Sequence, residues 1–428
     1  MNYPEQIEIT PVDGPIQAAV KVPGSKSFSN RALPIAALAN GESLLTGILD
    51  SEDTEVMRES LGRLGISVFH DPHQCIARVI GCRGIIPVST ADLFLANSGT
   101  SIRFLAALVA LGHGDFRLDG IQRMRERPIG DLLSTLVALG VDAKAELGND
   151  CPPVMIRSRG LAGGEVTVRG DVSSQFLSAL LMVAPLANGP LVLRVTGELV
   201  SKPYVDMTLA TMAAFGGECV RDGYSTFRFA GNGQYIGRDY AIEPDASAAS
   251  YFFGAAAVTG GSITIHGLGT ESLQGDLQFV HLLERMGCKV RMTANATTVV
   301  GNPLRGIDAD LCHVSDTVPT LAAVACFADG PTTIRNVAHI RHKETDRISA
   351  LVTEIRKTGI HVDEFADGLT IQPSSAHEAT FDTYNDHRMA MSLSLLGLKV
   401  PGIVIRDPGC VRKTYPRFFE DLLHLTGG

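Results

Sequence analysis

Residues 114–120 read GDFRLDG, a short strand-like run between two glycines, and residues 97–103, NSGTSIR, open the apolar stretch that leads into it. The same arrangement occurs six times. The other copies are GESLLTG (41–47), GPLVLRVTG (189–197), GSITIHG (261–267), GPTTIRN (330–336) and GIVIRDPG (402–409), so the leading glycines are spaced by 73, 75, 72, 69 and 72 residues. A period this regular marks a repeated supersecondary unit. Before each copy stands a helix-like segment rich in small apolar residues. Its opening is polar and suited to an N-cap: SKSFSNR, NSGTSIR, DVSSQF, DASAAS, SDTVPT and NDHRMA. The first five copies are followed by a second amphipathic helix and a Gly-led strand, as in LLSTLVALGVDA and FVHLLERMGCKV; the sixth runs to FFEDLLHLTGG. Six alternations of strand and helix make an α/β pattern.

A chain of 428 residues, 45% of them hydrophobic, is too long for one core and can bury two of about 200 residues each. Three units per domain is the natural division. The turn-like stretch FAGNGQYIGRDYAIEPDAS (229–247) places the boundary near residues 235–245. The leading strand QIEITPV (6–12) belongs to no unit and could pair with either half.

The net charge of -9, a pI near 5.7 and the absence of tryptophan argue against nucleic acid as a partner. Any basic site must be local. The eight cysteines lack metal-ligand spacing, which predicts free thiols in a reducing compartment, without disulfides or structural zinc. No signal-like N-terminus or membrane-length apolar run is visible, so the chain reads as soluble and cytoplasmic.

Polar residues at one helix start mean capping, but here cations recur there. Lys26, Arg31, Arg103 and Arg388 lie in or beside first turns, where they oppose the helix dipole by roughly some tenths of a kcal/mol. An anion held between the cations and the free N–H groups would reverse that balance. In RERPIGDLL and SKPYVDM, proline suits the first helical position, with Arg127 and Lys202 at the helix mouth. In RHKETDR (341–347), Lys343 and Arg347 are four apart, so on a helix they share a face, which is unfavourable without an anion between them. Glu344 and Asp346 could screen them, but a shared anionic ligand is the stronger reading. YNDHRMAM adds His387 and Arg388, and VRKTYP adds Lys413. If these cations converge from both halves of an acidic protein, the ligands carry several negative charges. GSKS is no nucleotide P-loop, because the glycine that should directly precede the lysine is missing.

PGSKSFSNR, NSGTSIR, RERPIGDL, DVSSQFLSALLM, SKPYVDMT, HKETDRI, YNDHRMAMS and KTYPRFFE, in this order, resemble the 5-enolpyruvylshikimate-3-phosphate synthases (3-phosphoshikimate 1-carboxyvinyltransferases) from end to end. The resemblance implies an inside-out α/β barrel fold of two similar domains, each of three βαβαββ units. It divides the chain into residues 23–241 and residues 1–22 plus 242–428, with the active site in the cleft between, and assigns the N-terminal strand to the second domain. The implied reaction adds the 5-hydroxyl of shikimate 3-phosphate to phosphoenolpyruvate and then expels phosphate, a step of aromatic amino-acid biosynthesis. It needs no cofactor and no metal, and the family suggests a monomer.

Matched by motif, Lys26, Ser27, Arg31, Ser173, Ser174, Gln175, Ser201, Asp316 and Lys343 bind shikimate 3-phosphate. Lys26, Gly99, Arg127, Gln175, Arg347, Arg388 and Lys413 bind phosphoenolpyruvate. Asp316 is the proton acceptor, Glu344 the acid that passes a proton to carbon, and Lys26 a third catalytic group. Asn97, Thr100, Arg103, Tyr204 and His387 give support, and Asn30 is left as a helix cap. Two positions depart from many members: His339 replaces an asparagine four residues before the motif lysine, and Phe104 replaces a proline after Arg103. The second implies altered sensitivity to the phosphoenolpyruvate-mimicking inhibitor glyphosate. The alternatives are the sister enzyme acting on UDP-N-acetylglucosamine, whose usual loop cysteine is absent from QRMRERPIG, and a non-catalytic anion-binding relative, which would not require Asp316 and Glu344.

Overall fold

The computed structural model describes residues 3–426. All six Gly-led runs are strands: Glu42–Thr46, His113–Asp119, Asn188–Thr196, Ser262–His266, Thr332–Arg335 and Ile403–Arg406. They head six small sheets, and each pairs in parallel with one neighbour and antiparallel with another. A parallel pair needs a crossover, and in the second, third, fifth and sixth copies the apolar helix before the run supplies it. The antiparallel neighbour arrives later through a hairpin, so the order within a full unit is first, second, fourth, third strand.

The leading glycine has a steric cause at 114. A Cβ there would lie 1.9 Å from the Ser89 carbonyl oxygen, because the chain entering the strand runs directly against its parallel neighbour. Only glycine permits that approach.

The chain divides into two compact units: Gly24–Ile242, called here the first unit, and a second unit made of the segment up to Pro23 and the segment from Glu243 onward. Each has three sheets and its own apolar core. Each unit also takes a strand from far along the chain. In the first, Asp239–Ala241 pairs in parallel with Glu42–Thr46. In the second, Gln17–Val20 does so with Ser262–His266, and Gln6–Glu8 pairs antiparallel with Ile403–Arg406.

The apolar helices before these strands are buried nearly all round. Every residue of Gly99–Val109, Ala246–Thr259 and His387–Gly397 is buried, and so are all but one of Lys26–Leu38. A helix apolar on every side must be enclosed, and the small residues noted in the sequence let it pack closely. Among the described residues no helix is long and apolar enough to cross a membrane, and no group of His, Cys, Asp and Glu is placed to hold a metal ion.

Candidate active site

In the first unit, Ser25 caps the Lys26–Leu38 helix by accepting from the Phe28 N–H at 3.4 Å. Asn30 is therefore not the cap. It is the fifth residue of the helix and wholly buried. Lys26, first in the helix, lies 3.7 Å from buried Asp53, Nζ to Oδ2.

Arg31 points sideways into the unit and is 1% exposed. Its Nε donates to Thr208 Oγ1 at 2.7 Å, Nη1 to the Ser27 carbonyl at 2.8 Å, and Nη2 to the Tyr204 carbonyl at 3.0 Å and to Ser178 Oγ at 3.5 Å. The rings of Phe104 and Tyr204 lie 5.3 and 5.8 Å from its guanidinium carbon. Burial pushes its pKa down to about 10, against the opposing influence of Tyr204 and Tyr240. No carboxylate among the described residues pairs with it.

The neighbouring helix starts build a second cluster. Arg127 Nη1 donates to the Asn97 carbonyl at 2.9 Å and to Asn97 Oδ1 at 3.2 Å. A Cβ on Gly99 would lie 2.3 Å from Arg127 Nη2, so the guanidinium rests on the bare Cα face of the first helical residue. Gln175 joins two helices: its Oε1 accepts from Arg103 Nη1 at 2.6 Å and its Nε2 donates to Thr100 Oγ1 at 3.1 Å. Ser173 caps the Ser174–Val183 helix, and Ser201 precedes the Lys202–Ala214 helix in a left-handed conformation, φ 54°. Pro203 is within the first turn of that helix, whereas Pro128 stands two residues before its helix, Gly130–Ala138, not at its first position.

In the second unit the cations meet carboxylates. Arg347 is 1% exposed and holds three: Nε and Nη2 grip Asp386 at 2.8 and 3.1 Å, Nη2 reaches Glu344 Oε2 at 2.7 Å, and Nη1 reaches Asp316 Oδ1 at 3.3 Å. Burial opposes its charge, but Asp386, Glu344 and Asp316 outweigh that and raise its pKa above the ordinary arginine value. Arg388 Nη2 reaches Asp316 Oδ2 at 2.8 Å and Nη1 donates to Tyr251 Oη at 3.3 Å. Lys343 lies 3.5 Å from Asp316, and Lys413 4.0 Å from Glu344. Asp316 thus faces Lys343, Arg347 and Arg388, while Glu344 lies between Arg347 and Lys413.

One expectation changes here. Lys343 and Arg347 do not share a helix face: a 3-10 helix ends at His342, Asp346 caps the next helix, and Arg347 is its first residue. Both cations lie against the protein's own Asp316, at 3.5 and 3.3 Å. Asp386 was overlooked in the sequence, where its position suggested only a cap. It does cap, accepting from the Arg388 N–H at 2.9 Å, and the same carboxylate grips Arg347. Thr208, Ser178, Asp53 and Tyr251 were also missed: Ser178 and Thr208 stand within quoted motifs, but nothing in one segment tells that a hydroxyl meets a distant guanidinium. His387 is wholly buried, 3.7 Å from Asp386.

In chemical terms the first unit offers guanidiniums held by neutral oxygens, fit to grip an anion. The second offers two buried carboxylates kept in place by four cations, fit to take up and return protons.

The EPSP synthase (3-phosphoshikimate 1-carboxyvinyltransferase) family model matches residues 12–422. A 3-phosphoshikimate 1-carboxyvinyltransferase of Nostoc punctiforme is 49% identical over 416 residues, covering 97% of this chain and 98% of that one. A chloroplastic one of Arabidopsis thaliana is 46% identical over 430 residues, covering 96% and 83%. The solved EPSP synthase of Acinetobacter baumannii superposes with a TM-score of 0.81 at 25% identity, covering 98% of each chain. The fold is accordingly the inside-out α/β fold of two domains, and the chain belongs to the EPSP synthase (3-phosphoshikimate 1-carboxyvinyltransferase) family.

Proposed function

We propose that the chain, an enzyme of this family, catalyses enolpyruvyl transfer with the two side-chain sets in distinct roles. The observation that carries this division is that Arg31 and Arg127 pair with no carboxylate among the described residues, whereas Asp316 and Glu344 are each surrounded by cations. In the first unit, Lys26, Ser27, Arg31, Ser173, Ser174 and Ser201 take shikimate 3-phosphate, with Tyr204 against its ring. Gly99 and Arg127 take phosphoenolpyruvate, and Gln175 touches both. Asn97, Thr100 and Arg103 hold these groups in place.

In the second unit, Asp316 accepts the proton of the 5-hydroxyl as its oxygen bonds to C2 of phosphoenolpyruvate, and Glu344 delivers a proton to C3. The C2–O bond to phosphate then breaks, C3 returns a proton, and the enol ether and inorganic phosphate are released. Lys343, Arg347, Arg388 and Lys413 hold the two carboxylates and the substrate charges throughout, because proton transfer is efficient only between groups kept within hydrogen-bond reach. Phe104, wholly buried against Arg31, alters the response to glyphosate; an inhibition constant equal to that of a proline-bearing relative would remove this point. The enzyme acts as a monomer in the cytoplasm, where its eight free thiols stay reduced, and light scattering at 45.5 kDa checks the first statement.

The test is phosphate release from the purified protein with phosphoenolpyruvate and shikimate 3-phosphate, run beside UDP-N-acetylglucosamine as the other acceptor. Turnover with the shikimate ester alone is expected. No turnover with it overturns the reading.

A further inference from the structure

This inference rests on the functional reading above and concerns how the Asp386–Arg388 segment is held. Residues 383–386 form a tight turn closed by the Asp386 N–H, which donates to the Thr383 carbonyl at 2.8 Å. Both central residues are left-handed, Tyr384 at φ 54° and Asn385 at φ 53°. That is the pattern of a type I′ turn, which glycine and asparagine favour. Asn385 suits it, but a bulky tyrosine at positive φ is an outlier that its surroundings must impose.

The surroundings are specific. Tyr384 Oη donates to Glu354 Oε1 at 2.6 Å, and Glu354 Oε2 accepts the Asp382 N–H at 2.8 Å. Lys357 Nζ lies 2.7 Å from both Glu354 Oε2 and Asp382 Oδ2. Glu354 is wholly buried, and it stands seven residues after Arg347 on the Arg347–Arg356 helix, two turns along the same face. One helix therefore grips the segment twice: Glu354 holds its entry at Asp382 and Tyr384, and Arg347 holds its exit at Asp386. The exit fixes Arg388, whose N–H the same Asp386 carboxylate accepts.

None of the substrate-binding or proton-transfer roles uses Glu354 or Tyr384. We propose that both are positioning residues for the reaction: their hydrogen bond holds the 383–386 turn in a conformation tyrosine disfavours, and so sets the direction in which Arg388 meets phosphoenolpyruvate. They touch no reacting atom. The Tyr384 residue is 43% exposed, so Tyr384→Phe deletes one hydroxyl without opening the core.

The experiment is steady-state kinetics of Tyr384→Phe, alone and combined with Arg388→Lys, with direct binding of shikimate 3-phosphate to each variant. Tyr384→Phe is expected to raise the KM for phosphoenolpyruvate about tenfold. Its affinity for shikimate 3-phosphate stays within about twofold, and in the Arg388→Lys background it adds less than about twofold, because the two substitutions act through one geometry. Glu354→Gln follows the same pattern. Kinetics of Tyr384→Phe unchanged from the wild type, an equal loss in both backgrounds, or a parallel weakening of shikimate 3-phosphate binding would overturn the proposal. Failure of the functional reading shows separately: no phosphate release by the wild type, or an unaltered phosphoenolpyruvate KM in Arg388→Lys, overturns that reading and this proposal with it.

Discussion

Arg31 and Arg347 are equally buried, yet their partners are opposite in kind. Hydroxyls and backbone carbonyls hold Arg31, and burial lowers its pKa to about 10; three carboxylates hold Arg347 and raise its pKa despite the same burial. A guanidinium on neutral oxygens keeps its charge available to an arriving anion, since charge-assisted bonds to carboxylate or phosphate are stronger than those it already has. A guanidinium among carboxylates instead holds those acids in place through short charge-assisted bonds. On the proposed function, the first arrangement mainly binds and the second also positions the acids that move protons.

The comparison breaks most visibly at Asp316. Asp316→Ala should lower kcat by about 10³-fold while shikimate 3-phosphate still binds; loss of binding with kcat kept would make Asp316 an anchor, not a base. Stability separates the two arginines next. Arg347→Met strands three buried carboxylates and should cost about 3–5 kcal/mol in urea unfolding. Arg31→Met strands only neutral oxygens and should cost about 1–2 kcal/mol, while abolishing measurable shikimate 3-phosphate binding. Equal costs would erase the distinction.

Gly99→Ala tests the neutral side more finely. Its Cβ meets Arg127 Nη2 at 2.3 Å, so the guanidinium must shift, and the phosphoenolpyruvate KM should rise about tenfold with little change in melting temperature. An unchanged KM would show that Arg127 does not bind phosphoenolpyruvate from this position.

The smallest effect is expected at His339, on the carboxylate side. Burial pushes its pKa down to about 4, helped by the positive charge of Lys343 and by His313 and His342 and opposed by Asp316. Because this lies below the unfolded value near 6.5, the unfolded chain binds the proton first, and stability falls as pH drops from about 6.5 towards 4. His339→Asn should remove roughly 1–2 kcal/mol of that loss, seen by comparing urea midpoints at pH 7 and pH 5.

The α/β class and the six-fold repeat were legible in the chain because both are local. A leading glycine, a short strand-like run, an apolar run of helical length and a polar opening recur at a fixed period, and each is read within a few residues. The cations at the helix mouths were legible for the same reason, since they stand out against small apolar neighbours. Asp386 was hidden because capping already explained it. Thr208 and Ser178 were hidden because the role of a hydroxyl in an apolar helix shows only when a guanidinium arrives from 177 and 147 residues away. The common helix face expected for Lys343 and Arg347 failed because spacing predicts a shared face only if the helix continues, and Asp346 restarts it.

By itself, then, the order of residues determined the repeated unit, the helix mouths and the charge placed at them, since these follow from sterics, capping and periodicity within one segment. Only the tertiary structure decided which charges meet which partners. Burial joins side chains distant in sequence, so whether a buried cation finds a hydroxyl, as Arg31 does, or a carboxylate, as Arg347 does, is settled only by packing.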